Sequence, residues 1–155
     1  LGTHALEVHH APGHAFHQAV FYDPVNDGVF TADAAGINVP NRPGVLPTSP
    51  PPGFDLKGCL GDVEMLEALD PAALYYGHFG DSETDGLLGE YRTVITEWVE
   101  RVEAKRAELG DDEAVVEYFA EQVDTDSPWN EQHARGEERM NTRGVLHYLD
   151  NRETP

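Results

Sequence analysis

The sequence is short of basic residues, and of lysine above all. Ten Lys and Arg stand against 29 Asp and Glu, for a formal net charge of −19. Lys57 and Lys105 are the two lysines; the other eight bases are arginines. Such a surface lacks the clustered cations that neutralise nucleic-acid phosphates or anionic lipid headgroups, which argues against both kinds of partner. Cysteine is nearly absent: Cys59 alone excludes an internal disulfide and a multi-cysteine metal cage. Apolar runs are short as well, none approaching the roughly 18 residues of a membrane-spanning helix. No basic-then-apolar leader opens the chain. The expectation is a soluble, cytosolic (cytoplasmic) protein.

What is present suits one folded unit. At 155 residues the chain can bury a core, and 39% hydrophobic content is too high for a disordered acidic tail. The acid-rich, lysine-poor composition suggests a salt-loving source, where salt screens the self-repulsion, with an ordinary acidic protein as the alternative. Charge is distributed unevenly. Residues 1–80 carry nine acids, two bases and six of the eight histidines, while residues 81–155 carry twenty acids and eight bases. A sheet-and-loop catalytic part followed by a helical part is expected.

Patterning supplies the elements. Residues 5–10 (ALEVHH) and 19–22 read as strands around a Pro12-Gly13 turn. The Asp27-Gly28 pair predicts a hairpin returning through residues 29–31. Residues 38–53, with six prolines, predict an irregular loop, and loops of this length are usually functional or covering. Residues 62–69 predict a helix capped by Asp62, followed by a buried strand over 73–76. Helices are expected over 91–109, stopped by Gly110, from 111 through Val123, and, after a break at 124–129, up to Leu149.

Three polar residues fall near strand ends, where a rigid sheet can present them to one point. They are His14 after the Pro-Gly turn, Asp33 after residues 29–31, and His78 after residues 73–76. Two imidazoles and a carboxylate are the donors that hold zinc or another borderline divalent metal. Taken singly, each residue type more often serves a turn or a helix cap. His17 is a candidate for orienting a ligand or lining the pocket, and His10 for lining it. Cys59 lacks a neighbouring base or helix start to activate it as a nucleophile. The acids of the second half lack the spacing of a calcium loop.

In order, Pro12-Gly13-His14, Phe30-Thr31-Ala32-Asp33-Ala34-Ala35-Gly36 and Gly77-His78-Phe79-Gly80 resemble the motifs of metallo-β-lactamase-fold hydrolases, in particular the glyoxalase II-like branch. The Pro-rich stretch is similar to a loop that some of these enzymes place over the site. The resemblance implies His14 as a histidine ligand of a first metal, Asp33 as the catalytic carboxylate bridging two metals, and His78 as a ligand of the second. It implies two divalent ions, zinc foremost with iron or manganese as alternatives, and a small ester-, thioester- or lactone-like substrate. Two departures stand out. Ala32 replaces the usual Gly before the bridging Asp, a small change if its φ is negative. The H-x-H-x-D-H motif that supplies four further ligands is not in the chain.

The expected fold class is therefore α/β. Residues 1–105 would be the C-terminal half of an αββα sandwich, and residues 106–155 a helical C-terminal extension. With three of seven expected ligands, the chain alone would bind metal weakly and be inactive, needing a missing N-terminal half or partner chain. A non-catalytic or split-partner module of the same fold is the alternative. A redox di-iron protein is a third reading, disfavoured because such sites prefer more carboxylates.

Overall fold

A computed structural model describes residues 2, 4–40, 42–123 and 129–152. Among these, strands β1 (Glu7–His10), β2 (Ala19–Asp23), β3 (Gly28–Ala32), β6 (Ala73–Tyr76) and β7 (Asp81–Glu83) form a five-stranded mixed sheet in the order β1-β2-β3-β6-β7. Two-residue strands β4 (Ile37–Asn38) and β5 (Val45–Leu46) pair separately. Four helices follow the pattern of apolar residues: α1 (Leu56–Leu69), α2 (Leu87–Leu109), α3 (Asp112–Ala120) and α4 (Glu131–Asn151).

The β2–β3 hairpin closes where Asp27-Gly28 predicted it, with Asp27 at a positive φ of 51°. Strand β3 then runs parallel to β6, with α1 as the crossover between them. Because β1 and β3 are both antiparallel to β2, strands β1, β3 and β6 point the same way. Their carboxyl ends, and the residues that follow, emerge along one edge of the sheet.

Side-chain alternation gives the sheet two faces. Val20, Val29, Thr31, Leu74 and Tyr76 are buried. The apolar members of that set share a core with Val63 and Leu66 of α1 and with Tyr91, Ile95, Val99 and Val102 of α2. Among the described residues no element packs on the opposite face, and its cross-strand row Val8–Phe21–Phe30–Tyr75 is apolar; Val8, Phe21 and Phe30 are 63, 40 and 45% exposed.

Several element boundaries differ from the sequence expectation. Helix α1 starts at Leu56, six residues before the expected point, and its cap is Asp55, whose side chain accepts from Lys57 N–H. Asp62 instead lies buried in mid-helix. Helix α2 begins at Leu87, four residues before the expected point. Helix α3 ends at Ala120, short of Val123. The expected break at 124–129 lies, apart from Trp129, outside the described residues. No helix of the described residues is long and apolar enough to cross a membrane.

Candidate functional site

Each of the three candidate ligands is delivered by a constrained turn. His14 follows Gly13, which sits against the first turn of α1; a Cβ on Gly13 would lie 2.1 Å from Cys59 N. Gly13 N–H donates to Asp62 Oδ2 at 2.7 Å, and Asp55 N–H donates to the Gly13 carbonyl at 2.8 Å. His10 closes the same turn, its Nε2 lying 2.7 Å from the Phe16 carbonyl. Asp33 leaves β3 through Ala32, whose φ is +47° at a register irregularity between Phe30 and Ala32. The Ala-for-Gly replacement is thus a strained one, because its backbone is left-handed. His78 is presented by a turn in which Phe79 and Gly80 have positive φ and Tyr76 N–H donates to the Gly80 carbonyl at 2.9 Å.

The three side chains meet around Asp33. His14 Nε2 lies 3.6 Å from Asp33 Oδ2, and His78 Nε2 lies 3.5 Å from Asp33 Oδ1. Both distances are too long for strong hydrogen bonds. Asp33 Oδ1 is buried and accepts no hydrogen bond from any described residue. A carboxylate oxygen left in this state beside an imidazole has the chemistry of a cation ligand. Among the described residues, no group of three or more His, Cys, Asp or Glu side chains is set to hold a metal ion at one point. The donors instead form two pairs that share Asp33, one on each oxygen.

Burial pushes the His14 pKa below its usual value, against the opposing pull of Asp33. His14 is therefore held toward the neutral form, which is the form that ligates. His78 is half exposed. His17 is exposed, its ring packed edge-on against Phe16 at 5.0 Å. Burial drives the Cys59 thiol up to about 12, which removes it as a nucleophile.

Two supports of His14 were missed in the sequence. Asp62 reads locally as a helix cap, yet it anchors the Gly13 amide across 49 residues. Thr48, in the Pro-rich loop, places its Oγ1 3.5 Å from His14 Nδ1. Loop length was the only local signal for Thr48.

Beside these residues, a cleft of about 250 Å³ lies between the β4–β5 segment and helices α2, α3 and α4. Its walls include Arg42, Pro47, Trp98, Arg101, Phe119 and Trp129. Trp129 packs on Phe79, the neighbour of His78, at 5.4 Å. Pro47 precedes Thr48, the neighbour of His14.

Comparison with known proteins agrees with this architecture. An archaeal metallo-beta-lactamase superfamily protein from Sulfolobus tokodaii superposes with a TM-score of 0.61 at 21% identity, over 94% of this chain and 47% of its own. A metallo-beta-lactamase family protein from Thermus thermophilus gives a TM-score of 0.58 at 22% identity, over 94% and 44%. The chain thus spans about half the length of these solved structures. No curated protein matches it significantly. The family model of the Metallo-beta-lactamase superfamily matches residues 1–78, a stretch that contains His14, Asp33 and His78. The chain belongs to the metallo-beta-lactamase superfamily.

Proposed function

We propose that the chain carries part of the binuclear metal centre of a hydrolase acting on a small ester-, thioester- or lactone-like substrate. The observation that carries this reading is the division of Asp33, whose Oδ2 faces His14 and whose Oδ1 faces His78. His14 with Oδ2 would hold one divalent ion, and His78 with Oδ1 the other; zinc is the first choice, iron or manganese the alternatives. When bound, such ions polarise the scissile carbonyl and lower the pKa of water. Asp33 would supply negative charge to both dications. His14, held neutral by burial, offers its lone pair without a proton to displace. The cleft would take the substrate's apolar body against Trp98, Phe119 and Trp129.

Three donors cannot complete two four-coordinate shells, so the remaining ligands would come from another segment or chain. A titration of the 155-residue chain with zinc or manganese tests this. Weak binding without turnover is expected; tight binding of two ions with ester hydrolysis would overturn the incompleteness.

A second reading, a non-catalytic or split-partner module, is favoured by the row Val8–Phe21–Phe30–Tyr75. Apolar sheet faces pack on other sheets about 10 Å away, and this face has no described layer over it. Purified chain that fails to bind metal, yet recruits a sheet-bearing segment with an H-x-H-x-D-H motif into a stable complex, would favour the module reading.

A further inference from the structure

The walls of the cleft beside the candidate donors are fixed by internal contacts, which spares a ligand the cost of ordering them. Ser49, fully buried in the Pro-rich loop, donates its N–H to Asn141 Oδ1 at 2.8 Å and its hydroxyl to the Asn141 carbonyl at 3.0 Å. The same hydroxyl accepts from Trp98 Nε1–H at 3.0 Å, which pins the indole of one wall. Asn141 lies on α4 and Trp98 on α2, so one serine ties the loop to two helices. Gly144, one turn along α4 from Asn141, lets the backbones touch: a Cβ there would lie 1.7 Å from the Ser49 carbonyl oxygen. Phe119 packs edge-on against Trp98 at 5.0 Å, and both rings are buried. Trp129, half-buried, is the third aromatic wall. It stacks on His133 at 5.7 Å and meets Phe79 edge-on at 5.4 Å. Phe79 holds that position with a φ of 65°, a strained conformation for a bulky side chain.

The charges around the cleft are already engaged within the protein. The Arg101 guanidinium lies over the Trp98 and Phe119 rings, 5.8 and 5.5 Å from their centroids. Glu137 Oε1 lies 3.3 Å from His133 Nε2. Burial raises the Glu138 carboxyl toward its neutral form, against the pull of Arg101. Arg42 is engaged as well. A ligand anion would have to draw Arg101 off two rings. A ligand cation would find those ring faces taken, with Arg42 and Arg101 beside it. A buried charge without a partner is strongly disfavoured, so the walls favour a neutral group. Size narrows the choice further. An apolar cavity of about 150 Å³ admits benzene, and the cleft's volume of about 250 Å³ leaves room for one ring with a short arm. We infer that the cleft takes an uncharged, single-ring aromatic group of the substrate, and that Trp129, the most exposed of its three rings, is the residue that selects it. The service to a substrate rests on the hydrolase reading above; the binding itself does not.

The test uses the metal-free 155-residue chain. Trp98 and Trp129 are the two tryptophans of the sequence and both line the cleft, so their indole N–H signals in a proton–nitrogen correlation spectrum report its occupancy. Methyl benzoate should shift both signals saturably. Methyl cyclohexanecarboxylate, similar in size but saturated, should bind about 3–10-fold more weakly, the usual worth of an aromatic contact. Benzoate and benzyltrimethylammonium, which carry opposite charges beside the same ring, should each bind at least about tenfold more weakly. Trp129→Ala should weaken methyl benzoate about 3–10-fold, read on the Trp98 signal, whereas Trp129→Phe should keep most of the affinity. If Trp129→Ala fails to fold, the four-ligand series on the wild type decides. Absence of a saturable shift with methyl benzoate, equal binding of the saturated ester, or equal or tighter binding of either ion would overturn the inference. Unchanged affinity in a folded Trp129→Ala would overturn the role of Trp129. Absence of zinc binding counts against the metal reading alone, because these spectra need no metal.

Discussion

Glycine-to-alanine substitutions in α4 provide a sign test of the packing described above. In a helix interior, replacing Gly by Ala normally stabilises by about 0.5–1 kcal/mol, because glycine loses more backbone freedom on folding. Gly136 should follow that rule, since nothing lies within 4 Å of the position its Cβ would take. Gly144, two turns further along, should violate it. There the added carbon would sit 1.7 Å from Ser49 O and 2.7 Å from Ser49 C, both backbone atoms that no rotamer change can move aside. Relief requires α4 and the Pro-rich loop to separate by about 1.5 Å, a carbon–oxygen contact needing a little over 3 Å. That displacement stretches the Ser49 N–H···Asn141 and Ser49 hydroxyl···Asn141 bonds beyond use. Overpacking of this kind costs about 1–3 kcal/mol and a buried unsatisfied polar group about 1–3 more, so Gly144→Ala should destabilise by about 3 kcal/mol. With a urea slope of about 2 kcal/mol/M, its midpoint should fall by about 1.5 M, while that of Gly136→Ala rises by about 0.3 M. The assay is urea denaturation followed by far-ultraviolet circular dichroism. A Gly144→Ala midpoint at or above the wild-type value would refute the claimed contact.

Other consequences are as definite. Asp62 is buried, and desolvation raises its carboxyl pKa to about 6 from 3.8, so the native state holds the proton more tightly than the unfolded chain. Stability from this group is then full below about pH 4 and declines as pH rises to about 6; Asp62→Asn should abolish that slope and stabilise the protein above pH 6 by up to about 3 kcal/mol. Denaturation midpoints across pH 4–8 that keep the same slope in the variant would contradict this. Ala32→Gly should relieve a left-handed backbone worth about 1–2 kcal/mol against the about 0.5–1 kcal/mol entropic cost of glycine. The thermal midpoint should stay level or rise, and a clear drop would argue against the strain. Cys59, buried with a thiol pushed to about 12, should resist iodoacetamide in the native protein and react fully once unfolded. Rapid native labelling would count against its burial.

The residues of the candidate site were more legible than the contacts around them. His14, Asp33 and His78 each come shortly after a strand and stand beside small residues, and their meeting requires only that β1, β3 and β6 point the same way. Strand β6 and the β2–β3 hairpin were legible because local signals there agree with the tertiary structure. Helix α1 was misread because Gly58 and Gly61 interrupt its helical pattern. Tertiary contact explains the first of these, since a Cβ on Gly58 would meet Gly13 Cα at 2.9 Å. Strand β7 carries Asp81, Ser82 and Glu83 at the sheet edge, where no apolar alternation is required. The Ser49–Asn141 pair spans 92 residues and leaves no local signature. Such links depend on which surfaces meet, and composition and periodicity do not encode that choice.

The central claim is that one carboxylate, Asp33, serves two metal positions, one through each oxygen. Zinc titration by calorimetry on wild type, Asp33→Asn, His14→Ala and His78→Ala tests it most directly. The account predicts that each histidine variant weakens part of the binding and that Asp33→Asn, nearly isosteric but neutral, abolishes all of it. Zinc affinity and stoichiometry unchanged in Asp33→Asn would contradict the claim.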